Sequence, residues 1–225
     1  MIRDRKISVV IPCYNEEDGV RHVIEGMPKY VDEIVVVDNN STDRTGDVAR
    51  SLGAKVVFEK RPGYGAAYKA GLPAATGDIV ATLDGDGSYP SDVIQELVEQ
   101  LLDRRLDFIS GCRFPLANPK AMPFTNQVGN GVLTLVMFVL FGKPVRDSQS
   151  GMWVFRREIL KDLRLTSDGM PLSEEIKIEA LMRRLKFEEI HIRYLERIGE
   201  VKLRKWKDGW ENLVFLVRKR MGGTK

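Results

Sequence analysis

The most informative stretch of this chain is Ile79-Val80-Ala81-Thr82-Leu83-Asp84-Gly85-Asp86. Its apolar run predicts a buried strand, and two carboxylates one residue apart follow that strand. Open α/β sheets bind their ligands at the carboxyl ends of the strands, where this pair is expected to lie. Carboxylate oxygens suit Mg²⁺ or Mn²⁺, ions that bind diphosphates. Because Asp-Gly-Asp is also common in turns, the surrounding sequence has to distinguish a metal site from a turn.

Strand-like and helix-like segments alternate through the first half of the chain. The predicted strands are 7–11, 34–37, 54–58, 78–83 and 108–111; the predicted helices are 16–27, 66–75, 91–102 and a segment that ends at residue 52. This alternation predicts an α/β fold with a mostly parallel central sheet and helices on both faces.

The pattern changes after residue 113. Three prolines mark a loop, and the segments that follow are predicted helices at 126–141, 177–185 and 206–220 and predicted strands at 151–155 and 189–194. In the last helix one apolar face is formed by Trp206, Trp210, Leu213, Val214 and Val217.

The most apolar run, 132–141, spans about 10 residues. A membrane span needs roughly 20, so no segment is expected to cross a bilayer.

Length and charge set the organisation that we expect. The 225 residues suit a single domain, with 7–112 as a nucleotide-sugar-binding half, 113–203 as an acceptor half and 204–225 as a C-terminal amphipathic helix. Residues 183–225 contain 13 Lys and Arg against 6 Asp and Glu, which favours an anionic partner. Two cysteines and the lack of an apolar N-terminal segment indicate a reducing, cytoplasmic location. No pattern indicates an oligomeric state.

Polar residues follow three of the predicted strands, and in a parallel sheet these strand ends share one edge. Asp38 could accept a hydrogen bond from the ring N–H of uracil or guanine, and Glu16 could accept from ribose hydroxyls. Asp84 and Asp86 would hold a metal ion on the diphosphate. Gly63-Tyr64-Gly65 begins a predicted helix whose N-terminus favours anions.

These residues resemble the motifs of family 2 glycosyltransferases, which have the GT-A fold. The matching segments are Pro12-x-Tyr14-Asn15-Glu16, Val36-Val37-Asp38-Asn39-Asn40-Ser41-Thr42-Asp43, Gly63-x-Gly65-x-Ala67-x-x-x-Gly71-Leu72, Ala75-x-Gly77-Asp78-Ile79 and Asp84-x-Asp86-Gly87-x-x-x-Pro90. The resemblance implies a nucleotide-diphosphate-sugar donor and a divalent metal. It assigns donor binding to Pro12, Tyr14, Glu16, Val37, Asp38, Gly65, Asp84 and Gly85.

The second half resembles the branch that contains the dolichyl-phosphate mannose and glucose synthases. The matching segments are Asp147-Ser148-Gln149-Ser150-Gly151-Met152, Ser167-Asp168-Gly169-Met170 with Glu175, Tyr194-x-x-Arg197-x-Gly199-Glu200-x-Lys202-Leu203 and Asp208-Gly209-Trp210. The resemblance implies that Arg113, Arg197 and Lys202 hold the phosphate of a polyprenyl phosphate acceptor. Two residues depart from the family pattern, Val201 in place of a serine and Ser88 in place of a stronger metal ligand.

The expected reaction is a single displacement with inversion, in which the metal ion at Asp84 and Asp86 neutralises the leaving group. A phosphate acceptor is already anionic and needs placing more than deprotonating. A hydroxyl acceptor requires a base, for which the candidates are Glu175 and Asp147, with Glu174 as a near neighbour. Asp86, Glu175 and Asp147 are therefore the predicted catalytic residues.

Other functions fit the sequence less well. A dinucleotide dehydrogenase is disfavoured because Gly-x-Gly-x-x-Gly is missing after the first strand. A nucleic-acid-binding module could use the basic tail with Trp206 and Trp210. Since those tryptophans share a face with Leu213 and Val217, that face suits packing or a membrane interface better. We expect no nucleic-acid partner and a peripheral location on the cytoplasmic face of a membrane.

Overall fold

The computed structural model describes residues 1–200, 202 and 205–222. The strands in these residues are β1 (Ile7–Cys13), β2 (Glu33–Asp38), β3 (Lys55–Phe58), β4 (Ile79–Thr82), β5 (Phe108–Cys112), β6 (Trp153–Arg156) and β7 (Phe187–His191). The α-helices are α1 (Glu17–Glu25), α2 (Thr45–Ser51), α3 (Tyr64–Gly71), α4 (Ile94–Asp103), α5 (Phe124–Phe141), α6 (Leu172–Met182) and α7 (Lys205–Arg220). Val201, the residue that departs from the family serine, and Leu203 lie outside the described residues.

All seven strands belong to one sheet in the order β3-β2-β1-β4-β6-β5-β7. Only β6 is antiparallel to its neighbours β4 and β5, and the other pairs are parallel. The carboxyl ends of the parallel strands therefore meet at one edge. Because β6 runs the other way, its amino end reaches the same edge and brings the segment 147–152 there.

Apolar side chains cover both faces of the sheet. One core packs the sheet against α1, α2 and α4, and its members include Val9, Ile11, Val20, Val36, Val48, Ile94 and Leu97. The other packs it against α3 and α6, with Val10, Val37, Tyr68, Phe108, Trp153, Phe155, Leu172 and Ile176. The predicted α/β class, with a mostly parallel sheet between two helical layers, is confirmed.

A third, smaller core joins α5 and α7 to the body of the protein through Leu133, Met137, Val145, Ile178 and Leu216. The remaining surface of α5 is open, since 17% of its 18 residues are buried and their mean hydropathy is 1.4. By length and composition alone α5 meets the minimum for a membrane span, a test that a core helix of a soluble protein also meets. The predicted helix 126–141 begins two residues earlier, at Phe124. The full 18 residues meet this minimum, whereas the expectation that no segment crosses a bilayer considered only the apolar run 132–141.

Several element boundaries differ from the prediction. Residue Pro12 lies inside β1 rather than after it, because β4 pairs only with residues 7–10 and leaves the end of β1 bonded on one side. Helix α6 begins at Leu172, five positions before the prediction, and so includes Glu174 and Glu175. In α7, Leu213 packs toward the body, whereas Trp206 and Trp210 are exposed.

Candidate active site

The Asp84-Gly85-Asp86 turn packs directly against the end of β1 and the start of α1. A Cβ atom added to Gly85 would lie 2.4 Å from Cys13 Sγ, and one added to Gly19 would lie 2.4 Å from the Gly85 carbonyl oxygen. Larger residues at either glycine would push the turn away from the sheet edge. The two glycines therefore fix the position of both carboxylates relative to the first strand.

At this edge the side chain of Asp86 is buried and that of Asp84 is half-buried. Burial, followed by the negative charge of Asp86, raises the pKa of Asp84 to about 7, while a hydrogen bond from the Tyr64 hydroxyl opposes the rise. That hydroxyl donates to Asp84 Oδ1 over 3.2 Å. Asp86 accepts the Ser88 backbone N–H over 2.9 Å through Oδ1, and its Oδ2 lies 3.5 Å from Arg197 Nη1.

The chemistry of this pair fits a hard divalent cation. Two carboxylates held together away from water gain stability from a nearby positive charge, and oxygen ligands suit Mg²⁺ and Mn²⁺. Within residues 1–200, 202 and 205–222, no three His, Cys, Asp or Glu side chains form a ready-made metal cluster. A metal ion at Asp84 and Asp86 would thus take further ligands from substrate oxygens or water.

The loops after β1 and β2 are joined by hydrogen bonds into one wall of the site. Asn15, at a φ of +52°, accepts the Thr42 backbone N–H at its Oδ1 over 2.7 Å. Asp38 Oδ1 accepts from the Ser41 backbone N–H over 2.9 Å. A Cβ atom added to Gly46 would lie 2.6 Å from Asp38 Oδ2, so glycine there leaves room for the carboxylate. Asp38 therefore caps its own loop with Oδ1, and its Oδ2 packs against the backbone at Gly46.

Other predicted donor residues have contrasting environments. Tyr14 is exposed, whereas the side chain of Val37 is fully buried and faces Gly71 of α3. The Pro12 carbonyl oxygen lies 3.3 Å from the Cβ position of Gly85. Val37 and Pro12 therefore shape the strand edge, and their side chains form no open polar site.

The N-terminus of α3 differs from the expectation. We expected Gly63 and Gly65 to leave it open to an anion, but the backbone of residues 167–168 covers it. Cβ atoms at these glycines would each lie 2.2 Å from a carbonyl oxygen, that of Asp168 and of Ser167 respectively. The Ala66 N–H also donates to the Asp168 carbonyl over 3.0 Å. In this structure the two glycines accommodate a protein loop.

Arg197 and Lys202 contact the wall formed by the loop after β1. Glu16 Oε1 accepts from Arg197 Nη2 over 3.1 Å and lies 2.6 Å from Lys202 Nζ. Lys202 Nζ also donates to the Asn15 carbonyl oxygen. Burial raises the pKa of Glu16, and both cations oppose that rise. The basic residues predicted for the acceptor thus contact carboxylates predicted for the donor and the metal.

Arg113 and Asp147 form a buried bidentate pair. Arg113 Nε and Nη2 each donate to Asp147 over 2.8 Å, and the backbone N–H of Arg113 donates over 3.0 Å. Burial opposes the ionised form of Asp147, but the charge and hydrogen bonds of Arg113 prevail and lower its pKa. Lys177 Nζ donates to the carbonyl oxygen of Asp147 over 2.6 Å. Burial lowers the pKa of Lys177 to about 8.

The adjacent residues Glu174 and Glu175 of α6 are both fully buried. Glu175 accepts from the Thr166 and Ser167 backbone N–H groups, each over 2.8 Å, and from Lys219 Nζ over 2.9 Å. Glu174 accepts from Gln149 Nε2 over 2.6 Å, and its Oε2 is buried without a hydrogen-bond partner. Burial raises the pKa of Glu174 well above its usual range. Glu175 therefore supports a loop and α7, whereas Glu174 retains an unused oxygen.

Sequence reasoning missed two residues that position Asp84. Tyr64 reaches Asp84 only because residue 151 is glycine, since a Cβ atom there would lie 2.1 Å from the Tyr64 hydroxyl. Both residues were in quoted motifs, at Gly63-Tyr64-Gly65 and Ser150-Gly151. Their pairing depends on β6 lying beside β4, a contact between distant segments that no local pattern indicates.

Comparison with known proteins identifies similar chains. The model of Glycosyl transferase family 2 matches residues 8–164. A dolichyl-phosphate hexose transferase of Haloferax volcanii is 35% identical over 200 residues, which are 88% of this chain and 86% of that protein. A low-salt glycan biosynthesis hexosyltransferase of the same organism is 33% identical over 218 residues, 94% of this chain. The chain spans about half (53%) of the length of that second relative.

The fold is similar to that of a solved enzyme. The glucosyl-3-phosphoglycerate synthase of Mycobacterium tuberculosis, in complex with Mn²⁺, UDP-glucose and phosphoglyceric acid, superposes with a TM-score of 0.77 at 25% identity. The match covers 97% of this chain and 80% of that protein. This similarity extends through both halves of the chain.

Proposed function

The chain belongs to glycosyltransferase family 2, and from this premise we propose that it moves a hexose from a nucleotide-diphosphate sugar to a polyprenyl phosphate. The donor is of the UDP-glucose or GDP-mannose type, and the reaction is metal-dependent and inverting. Relatives whose names include dolichyl-phosphate transfer support this acceptor class.

The observation that carries the proposal is the gathering of four carboxylates at one sheet edge. Glu16, Asp38, Asp84 and Asp86 follow three neighbouring strands, β1, β2 and β4. Asp38 and Glu16 suit the base and ribose of a nucleotide, and Asp84 and Asp86 suit the metal ion on its diphosphate. When bound there, Mg²⁺ or Mn²⁺ supplies charge neutralisation to the departing nucleoside diphosphate.

The environments of the candidate bases favour a phosphate acceptor over a hydroxyl acceptor. Asp147 is held by Arg113, and Glu175 is held by a loop and by Lys219. Neither carboxylate is exposed to a substrate hydroxyl. A phosphate monoester needs no base, since it is already a nucleophilic anion, and this favours it over a hydroxyl acceptor. Arg113, Arg197 and Lys202 then place the phosphate, with Asp147 positioning Arg113.

Two helices supply a surface for the lipid. The open face of α5 carries exposed apolar side chains at Phe124, Val128, Val132, Leu135, Phe138 and Val139. In α7, Trp206 is 93% exposed and Trp210 is 66% exposed, and the last turn contains Arg218 and Arg220. Apolar and aromatic side chains beside basic ones favour peripheral attachment to an anionic membrane, which we place at the cytoplasmic face.

The test is a panel of UDP- and GDP-sugars with Mn²⁺ or Mg²⁺, with and without polyprenyl phosphate, read by the mass of the lipid product. One donor should give a glycosylated lipid phosphate that depends on the metal ion. Asp86→Ala should abolish transfer. The control is Asp103→Ala, which removes an exposed carboxylate at the end of α4 that pairs with Arg3, and it should leave transfer intact. Transfer in excess chelator would contradict the metal assignment, and transfer only to a hydroxyl compound would contradict the acceptor.

A further inference from the structure

We propose that Arg197 and Lys202 act as internal cations that pair with the carboxylates of the donor site and are released toward the acceptor when donor and metal bind. Donor and acceptor binding are then coupled through two side chains shared by both sites. Both halves of this proposal rest on the proposed function, the metal half on its metal site at Asp84 and Asp86 and the acceptor half on its lipid phosphate. The segment concerned is residues 195–200 with Lys202, here called the basic strap.

The strap is anchored by its backbone to the metal-binding turn. The Ile198 N–H donates to the Asp86 carbonyl oxygen over 2.8 Å, and the Leu195 N–H donates to the Ser88 carbonyl oxygen over 2.9 Å. The side chain of Ile198 lies 3.3 Å from the Cβ position of Gly87. These contacts keep the strap beside the site, so Arg197 needs only to change its side-chain conformation in order to leave Asp86.

The guanidinium of Arg197 lies beside two carboxylates, those of Glu16 and Asp86. Its Nη1 is 3.5 Å from Asp86 Oδ2, and its Nη2 is 3.1 Å from Glu16 Oε1. Its Nε is buried and donates to no group among the described residues. A buried donor without a partner is costly, so this conformation is incomplete and favours an additional anion. A phosphate oxygen is an anion of the required kind.

Competition follows from the charges. A guanidinium at Asp86 and a divalent cation on the same carboxylate repel each other, so binding the metal weakens the contact between Arg197 and Asp86. Ribose hydroxyls that donate to Glu16 likewise compete with Lys202 Nζ, which is 2.6 Å from its Oε1. The metal ion and the donor thus free Arg197 and Lys202 to bind a phosphate, and because linkage is reciprocal, the phosphate in turn favours binding of metal and donor. Binding of metal and donor thus increases the affinity for the acceptor.

The first test measures Mn²⁺ binding alone, without nucleotide or acceptor, by calorimetry. Arg197→Gln removes the competing charge and should bind Mn²⁺ on the order of fivefold more tightly than wild type, the factor expected for an ion pair worth about 1 kcal/mol. Lys202→Gln, which acts on Glu16, should change Mn²⁺ affinity less. The matched control is Arg193→Gln, which removes an exposed cation near the strap that is paired with Asp92 over 2.6 Å.

The Mn²⁺ affinities show whether Arg197 competes with the metal ion. Tighter Mn²⁺ binding by Arg197→Gln but not by Arg193→Gln supports the proposal. Unchanged or weaker binding, equal tightening in both variants, or no Mn²⁺ binding by either protein overturns it. Since no acceptor is present, the result is independent of whether the enzyme uses a lipid phosphate.

The second test measures the coupling with a short-chain isoprenyl monophosphate. Wild type should bind it several-fold more tightly with Mn²⁺ and UDP or GDP than without them. Glu16→Gln, which loosens both cations in advance, should show a smaller difference. Equal affinity in both states overturns the coupling. If the monophosphate binds in neither state, the proposed acceptor and the coupling both fail, while the Mn²⁺ result stands by itself.

Discussion

The adjacent residues Glu174 and Glu175 differ in how their charge is balanced. Glu175 accepts three hydrogen bonds from Thr166 and Ser167 and forms an ion pair with Lys219. Glu174 is equally buried but accepts only from Gln149. A helical charge pattern could not distinguish them, because sequence reasoning began α6 after both residues. Their roles depend on which face of α6 meets which loop.

Glu174 gives a prediction of pH dependence. Burial raises its pKa, with Lys177 and Gln149 opposing. Above about pH 4.3, the usual glutamate pKa, the unfolded chain loses this proton before the folded protein does, so stability falls as pH rises toward the folded pKa. Glu174→Gln, which mimics the protonated form, should therefore be similar to wild type at pH 4 and more stable at pH 8 in urea unfolding. Glu158→Gln, at an exposed position, is the control. The same trend in both variants would show that the pH dependence does not come from the burial of Glu174.

At the scale of elements, the sequence predicted the strands and the polar residues at their ends. It did not predict the contacts between segments that are far apart in the chain. The apolar runs before Asp38 and Asp84 gave β2 and β4 to within a residue or two, because buried strands leave a strong local pattern. The closeness of Tyr64 to Gly151 and of Arg197 to Glu16 depends on chain crossings over long sequence separations. Charge alone placed Arg197 in a basic tail, whereas its partners are Glu16 and Asp86 in the first half of the chain.

Helix α5 gives a prediction about membrane attachment. Leu135 is 61% exposed and Val139 is 70% exposed, so the double variant Leu135→Glu/Val139→Glu should fold with stability within about 1 kcal/mol of wild type. Its binding to anionic vesicles should fall at least tenfold, since burying each apolar side chain is worth about 1.5–3 kcal/mol. Phe58→Glu, at an exposed position on β3, is the matched control. Sedimentation with vesicles measures the effect, and unchanged binding of the double variant would rule out α5 as the lipid contact.

At the scale of the whole molecule, one buried cluster of charged side chains ties α7 to the rest of the fold. Lys219 Nζ lies 2.9 Å from Glu175 and 2.7 Å from Glu179, and these side chains are at most 10% exposed. Glu175 in turn holds residues 166–167, next to the loop that covers the N-terminus of α3. A continuous set of contacts therefore runs from the C-terminal helix to the edge of the active site.

Lys219→Met tests this connection. The substitution keeps the length of the apolar stem but leaves the buried carboxylate of Glu175 without its cation, which typically costs about 3–5 kcal/mol. Glu179 keeps its ion pair with Arg183. We expect that loss in chemical denaturation, because no other Lys or Arg in the described residues pairs with Glu175. Lys207→Met is the control, since Lys207 pairs with Glu211 at the surface of the same helix, where such pairs contribute little. A loss in Lys219→Met no larger than that in Lys207→Met would mean that α7 is held by the apolar contacts of Leu213 and Leu216 alone. A larger loss, accompanied by faster proteolysis near residues 166–168, would show that the ion pairs join α7 to the active-site loop.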